Sequence, residues 1–337
     1  MKEFKKICKM TQPEIKKYMN DFFLDNHYAV VNKSGFLYAT PKDNRVPVLL
    51  VAHMDTVHKE KCKEINDENG KLSSPQGIGG DDRCGVYMIM NIVKELRCPV
   101  LLTEDEEKGG IGANKFVGAT YDCTDENGKK IKKKYINDLD VNYMIEFDRR
   151  GSNDAVYYSC DNKDFKKFVE ENSGMKENFG SYTDISTIMP ASKIAGVNFS
   201  CGYYNPHQTN EYVMFDEMTD VIEAAKILIK EPCEKPFEYV AKVWPKYDYK
   251  KSYKGGGYSQ ASRYHQYSFY DRDYYTYGND CGMMESLELE LEVLWNDDKG
   301  KEQIEICRGN NKAECWFNFF MMNQDVCKDM ITDWSWS

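Results

Sequence analysis

Stretches with strand-like and helix-like hydrophobic patterns alternate through the first two thirds of the chain. Continuous apolar runs, which are typical of strands buried on both faces, lie at 46–52, 99–103, 142–147 and 193–200. Apolar residues spaced three or four apart predict helices at 15–23, 83–96, 163–171 and 215–230. Before the first run, the segment HYAVVNKSGFLYATP predicts a hairpin that turns at 32–35. This order predicts an α/β fold in which helices flank a mixed, mostly parallel sheet.

The composition changes after residue 240. The segment 246–280 is rich in tyrosine, lysine, serine and glycine, and it has too few aliphatic residues to form a core. Beyond it, SLELELEVLW alternates like a half-buried strand, and QIEIC and ECWFNFF can pair with it. We therefore predict a main domain at 1–240, a linker at 241–282 and a small β-rich C-terminal module at 283–337.

Charge and composition restrict the classes of partner. The 337-residue chain has a formal net charge of -10 and a pI near 5.2, which argue against nucleic acid or an anionic membrane as the main partner. No apolar stretch approaches the roughly 20 residues that span a bilayer, and the N-terminus lacks the apolar core of a secretory signal. We expect a cytoplasmic protein whose 12 cysteines are free thiols.

Candidate metal ligands follow the predicted strands. Open α/β sheets carry their sites beyond the carboxyl ends of strands, so these side chains are expected to meet at one edge. Imidazole and carboxylate suit zinc, and two neighbouring cations need a carboxylate that bridges them. We expect Asp81 to bridge, His53 and Asp148 to complete one cation site, and Glu107 and His207 to complete the other. Their contexts are VLLVAHMDTV, GIGGDDRCG, LLTEDEEKGG, YMIEFDRRG and YYNPHQTNEYV.

Two further acids have predicted roles beside these ligands. Asp55 lies two residues after His53 and can accept its spare ring N–H, which would fix the tautomer. Glu106 can act as the general base on an attacking water. Two alternatives stay open: Glu146 can replace Asp148 as the ligand or hold a substrate amine, and Asp82 can exchange roles with Asp81. His27 and His58 are expected to be surface or hairpin residues.

The motifs HMDTV, GGDDRCG and DEEKGGIGA, followed by FDRRG and PHQTNE, resemble those of the co-catalytic zinc exopeptidases, which include peptidase T and the zinc aminopeptidases. The resemblance covers about 10–230. It implies the ligand and base roles given above, two divalent ions (zinc first, manganese or cobalt as alternatives), and a cis peptide between Asp81 and Asp82. The segment 149–206 is too short for the lid domain that the peptidase T branch carries at this place.

The resemblance implies an enzyme that releases the N-terminal residue of a short peptide. Asp rather than Glu at position 148 favours aminopeptidase or dipeptidase activity over an N-acyl amino acid deacylase or a carboxypeptidase, which remain the alternative. Candidate substrate contacts are Arg149, Arg150, Thr183, Asp184 and Glu146. Lidless relatives occur as monomers and as large shells, so a homo-oligomer stays open. A non-catalytic scaffold that acts through the C-terminal module is the second alternative.

Overall fold

The structure is a computed structural model that describes residues 1–242 and the backbone of two later strands, at 289–296 and 302–309. The chain divides into two compact units, Met1–Lys246 and Tyr247–Ser337. Nearly all of the predicted linker lies outside the described residues, as does the predicted strand at 314–320. Within the described part, no helix is long and apolar enough to cross a membrane. The eight cysteines within 1–242 are free thiols.

An eight-stranded sheet forms the centre of the first unit. Its strands are β1 Tyr28–Lys33, β2 Phe36–Pro41, β3 Val48–His53, β6 Val100–Thr103, β9 Tyr143–Arg149, β10 Asp154–Val156, β11 Lys176–Asn178 and β12 Gly196–Ser200. They lie in the order β1-β2-β6-β3-β9-β12-β10-β11. The middle strands β6, β3, β9 and β12 run parallel, while β2 of the β1–β2 hairpin pairs antiparallel with β6 and β10 pairs antiparallel with β12. The mixed, mostly parallel sheet of the sequence prediction is therefore confirmed.

Helices flank this sheet. Among the described residues they are α1 Lys2–Cys8, α2 Gln12–Asp25, α3 Gly80–Glu95, α4 Ile111–Gly118, α5 Lys163–Ser173, α6 Asp184–Ser192 and α7 Phe215–Lys230. α3 packs on β3 and β9, α6 packs on β3 and β12, and α7 packs on α3 and β12. Every residue of β3 is buried, as the uninterrupted apolar run predicts for a central parallel strand.

Short sheets complete the fold. β4 Asn66–Glu68 and β5 Lys71–Ser73 join β13 Tyr203–Tyr204 and β14 Tyr212–Met214 in a second sheet, ordered β13-β14-β5-β4. β7 Thr120–Thr124 pairs with β8 Lys130–Lys134 as a hairpin. In the second unit, β15 Leu289–Asn296 pairs antiparallel with β16 Glu302–Gly309, which is the pairing predicted for SLELELEVLW and QIEIC.

Several local predictions are confirmed. The Thr11-Gln12-Pro13-Glu14 sequence starts α2 as a capping box, in which the Thr11 backbone N–H donates to Glu14 at 2.8 Å. The β1–β2 hairpin turns at Ser34 and Gly35, where Gly35 takes φ of +98°. The predicted strand at 142–147 extends to Arg149, so Asp148 lies within the end of β9 and not after it.

Other elements differ from the prediction. The predicted strand at 193–200 begins only at Gly196, because Lys193 is the left-handed residue that ends α6, with φ of +63°. α6 itself was not predicted, and neither were α1, α4 or the short strands β10 and β11. α6 is the important addition, since it covers the sheet next to the candidate ligands.

Candidate metal centre

The predicted ligands meet at the carboxyl edge of the central sheet. His53 ends β3, and Asp148 lies near the end of β9. Asp81 lies in the first turn of α3, and Glu107 lies in a short 3-10 helix at Glu106–Lys108 after β6. His207 lies in the turn between β13 and β14, with φ of +65°. Residues from five separate segments therefore converge, as the strand-end argument predicts.

Asp81 lies between two sets of side chains. Its Oδ1 is 3.0 Å from His53 Nε2, and its Oδ2 is 3.1 Å from His207 Nε2. On the first side, Asp148 Oδ1 lies 3.5 Å from His53 Nε2. On the second side, Glu107 Oε1 lies 3.1 Å from His207 Nε2. One carboxylate thus presents one oxygen to each of two imidazole and carboxylate pairs, which is the arrangement that two cations sharing a bridging ligand require.

The donor set fits divalent cations. Potential ligand atoms of His53, Asp81 and Glu107 all lie within 4.8 Å of one another, and the same holds for His53, Asp82 and Asp148. Glu107 Oε1 is buried without a hydrogen bond. Within the described residues, no lysine or arginine pairs with the carboxylates of Asp81, Glu107 or Asp148. Buried carboxylates need compensating charge, and nitrogen and oxygen donors of this kind suit zinc.

The acids and imidazoles of this edge shift one another's pKa. Burial alone would lower the pKa of His53, but Asp148, Asp55 and Asp81 raise it well above its ordinary value. The carboxylates of Asp81 and Glu107, each with an oxygen 3.1 Å from the ring Nε2, raise the pKa of His207 to about 10. Burial opposes ionisation of Asp81, but its contacts with His207 and His53 lower its pKa. The carboxylates therefore stabilise positive charge at both imidazole positions.

Asp55 connects His53 to the loop that carries Glu106 and Glu107. Its Oδ1 lies 3.2 Å from His53 Nδ1 and accepts the backbone N–H of Glu106 at 3.0 Å. Its Oδ2 accepts the backbone N–H of Glu107 at 3.1 Å. Since a carboxylate only accepts, Nδ1 donates to Asp55, and Nε2, which faces Asp81, is the ring nitrogen that could bind a cation in place of a proton.

Asp82 is buried beside the site but is occupied by backbone groups. Its Oδ2 accepts the His53 N–H at 3.2 Å, and its Oδ1 accepts the Gly85 N–H at 2.8 Å. The peptide between Asp81 and Asp82 is cis, as the resemblance implies. These bonds favour Asp81 over Asp82 as the bridging ligand, because Asp81 directs both oxygens at the imidazoles.

Three further carboxyl groups lie near the ligands. Burial raises the pKa of Glu106 to about 9, and neighbouring Asp148 and Asp184 add to the increase. Glu146 is fully buried with both oxygens unpartnered, and burial raises its pKa well above the ordinary value. Asp184 accepts a hydrogen bond from the Thr103 hydroxyl, its other oxygen has no partner, and burial raises its pKa to about 7. The site is therefore strongly acidic beyond its candidate ligands.

The side chains of the other predicted substrate residues differ in whether they are already bound by other residues of the protein. The Thr183 hydroxyl donates to Asp148 Oδ2 at 2.8 Å, so it orients that carboxylate. The Arg149 guanidinium is held by Asp154 at 3.2 Å. The Arg150 side chain is exposed.

Sequence reasoning missed three residues that support the ligands. Asn198 of β12 accepts the Asp148 N–H at 2.8 Å and donates to the Asp148 carbonyl at 2.8 Å. Glu211 accepts backbone N–H groups of Gly79 and Asp81. The surface assignment of His58 was wrong, because its side chain is only 8% exposed and contacts Glu211 at 2.8 Å. The polar residue inside the apolar strand GVNFS was a usable signal for Asn198.

Comparisons with known proteins bear on the fold. No protein-family model matches this sequence, and no curated protein sequence matches it. The structure is similar to aminopeptidase PepT from Bacillus cereus, with 15% sequence identity, a TM-score of 0.53, and coverage of 68% of this chain and 96% of that one. It is also similar to a tripeptidase from Staphylococcus aureus, with 14% identity, a TM-score of 0.53, and coverage of 67% and 96%. About two thirds of the chain therefore shares the fold of these two peptidases.

Proposed function

We propose that this protein is a metal-dependent aminopeptidase that releases the N-terminal residue of short peptides. The observation that carries the proposal is the position of Asp81, whose two oxygens face His53 on one side and His207 on the other. The fold shared with an aminopeptidase and a tripeptidase supports the same class of reaction.

Asp81, His53 and Asp148 would hold one divalent cation, and Asp81, Glu107 and His207 would hold the other. Zinc is the first candidate, with manganese and cobalt as alternatives, because the donors are imidazole and carboxylate. When bound, two such ions polarise a scissile carbonyl and lower the pKa of a coordinated water. Asp55, Asn198 and Thr183 would keep the ligands oriented through the contacts described above.

Glu106 would act as the general base. Its backbone is fixed by the bond to Asp55, while its side chain belongs to neither ligand set. Its carboxylate would take a proton from the attacking water and deliver it to the amine of the leaving peptide. In the metal-free site burial raises its pKa to about 9, and the positive charge of two bound cations would lower that pKa toward the ionised form that a base needs.

The buried acids beside the ligands favour a substrate with a free amine, whose positive charge would lower their raised pKa values. Glu146 and Asp184 have unpartnered buried oxygens, which a substrate ammonium group could compensate. The deacylase and carboxypeptidase alternative needs a cation for the substrate carboxylate. Arg149 is already paired with Asp154, which leaves the exposed Arg150 as the remaining predicted candidate.

Hydrolysis of matched free and N-acetylated di- and tripeptides tests this proposal, using zinc-loaded and chelator-treated wild-type protein together with Glu106→Ala. We expect metal-dependent cleavage of the free peptides and loss of turnover in the variant. Cleavage of only the N-acetylated peptides would move the assignment to a deacylase or carboxypeptidase. Absence of turnover on both series with bound metal would contradict the peptidase assignment for these substrates.

A further inference from the structure

Glu211 is a fully buried acid whose carboxylate accepts hydrogen bonds from three donors. Its Oε2 accepts the Gly79 N–H at 2.8 Å, and its Oε1 accepts the Asp81 N–H at 3.0 Å. The ring of His58 donates from Nε2 to Oε2 at 2.8 Å. Both oxygens of Glu211 therefore accept hydrogen bonds from two other segments of the chain. One of these segments carries Asp81.

These bonds connect the two loops that supply Asp81 and His207. Glu211 immediately precedes β14, and His207 lies in the same β13–β14 connection. The strands β13 and β14 that flank this connection also pack tightly on Gly80, because a Cβ there would lie 2.8 Å from both Tyr203 Cβ and Val213 Cγ2. Only glycine allows this approach, so the Glu211 carboxylate reaches the backbone directly.

His207 needs such a connection more than the other candidate ligands do. Its side chain is 55% exposed, whereas those of His53, Asp81, Asp148 and Glu107 are at most 11% exposed. It lies in a turn with a positive φ, away from the central sheet whose strands fix His53 and Asp148. The Glu211 contacts lie only four residues further along the chain and hold this turn against the Asp81 loop.

We infer that Glu211, capped by His58, is a positioning residue that sets the distance between Asp81 and His207 and so forms the cation site of Asp81, Glu107 and His207. The inference rests on the proposed function. The effect should fall mainly on this ion. Asp81 is shared by both sites, but the other site also has His53 and Asp148, which β3, β9 and Asn198 hold without Glu211.

A glutamine cannot replace Glu211 fully. The two acceptors are both needed, and an amide offers one oxygen and one NH₂ group, which would face a backbone N–H as a second donor. Loss of an outer contact to a metal ligand typically weakens metal affinity by about 10- to 100-fold. We expect a weakening of this size for one zinc ion in Glu211→Gln and a smaller weakening in His58→Gln, because the two backbone bonds remain there.

The experiment is a zinc titration of the full chain in a metal buffer, with bound ions counted by native mass spectrometry and folding followed by circular dichroism. Glu217→Gln is the matched control, since Glu217 bonds to Tyr204 in the same small sheet and not to the Asp81 loop. We expect two wild-type affinities in Glu217→Gln. In Glu211→Gln and His58→Gln we expect one affinity to weaken much more than the other.

Two wild-type affinities in folded Glu211→Gln would overturn the inference. If Glu211→Gln does not fold, two wild-type affinities in His58→Gln would overturn it equally, while selective weakening there would support it. Failure of the wild-type chain to bind a second zinc ion would contradict the proposed two-metal site itself, so the two failures are distinguishable.

Discussion

Replacing Asp81 with asparagine should lower the free energy of unfolding and remove most of the additional stability that bound metal provides. Wild-type Asp81 contacts the buried His53 ring at 3.0 Å and the half-exposed His207 ring at 3.1 Å. A hydrogen bond to a charged group contributes about 1.5–3 kcal/mol when buried, and an exposed pair contributes less than about 1 kcal/mol. Asp81→Asn should therefore lose about 2–4 kcal/mol of unfolding free energy without added metal, most of it from the His53 contact.

Added zinc should widen that difference. A ligand at 100 times its Kd stabilises the folded state by about 2.7 kcal/mol per site. In a domain of this size each kcal/mol raises Tm by about 2–4 °C, so two filled sites should raise the wild-type Tm by roughly 10–20 °C. Asp81→Asn removes the shared charge from both sites, and its Tm should rise by less than about 5 °C at the same zinc concentration.

The assay is thermal unfolding followed by circular dichroism, with and without zinc after chelator treatment. Asp67→Asn is the matched control, because Asp67 pairs with Lys5 at 2.6 Å and does not face the site. This control should keep the full zinc-dependent rise. An equal rise in wild type and Asp81→Asn would refute a bridging role for Asp81.

Four further substitutions separate the proposed roles. Glu106→Gln should lower kcat by about 10²- to 10⁴-fold with two ions retained, whereas Glu107→Gln should lose one ion; equal metal loss in both would contradict the base assignment. Glu146→Gln should reduce the kcat/KM preference for free over N-acetylated peptides by about 10-fold or more, and an unchanged preference would exclude Glu146 from amine recognition. Arg149→Ala should cost about 1 kcal/mol in thermal unfolding through the Asp154 pair and leave that preference unchanged; loss of cleavage of free peptides in the folded variant would contradict a structural role.

Local sequence signals predicted much of the central sheet. They also predicted that the candidate ligands lie at one edge of it. Each signal is short-range: a buried run places His53 at the end of β3, and the capping box places the start of α2. Parallel strands then bring their carboxyl ends together regardless of the chain between them, so Asp148 could be assigned to the same edge.

The elements that were missed have weak or conflicting local signals. α6 contains Pro190, which disfavours a helix interior, and it spans only nine residues. β10 and β11 have three residues each, too few to show a period. These elements are stabilised by packing on the sheet, and the helix or strand propensity of their own residues does not reveal that packing.

Contacts between distant segments were not predictable in the same way. Glu211 lies 132 residues from Gly79 in the chain, and nothing in PHQTNEYV indicates that its carboxylate accepts from that loop. His58 follows the HMDTV motif in an exposed stretch, yet its ring is buried against Glu211. Long-range pairing of this kind depends on the completed fold.

The most direct test of the account is the number of zinc ions bound by the wild-type full chain at saturation, counted by native mass spectrometry after chelator treatment and reloading. The account predicts two ions per chain, since Asp81 serves two ligand sets. Saturation at one ion or none, in a chain that circular dichroism shows to be folded, would contradict it.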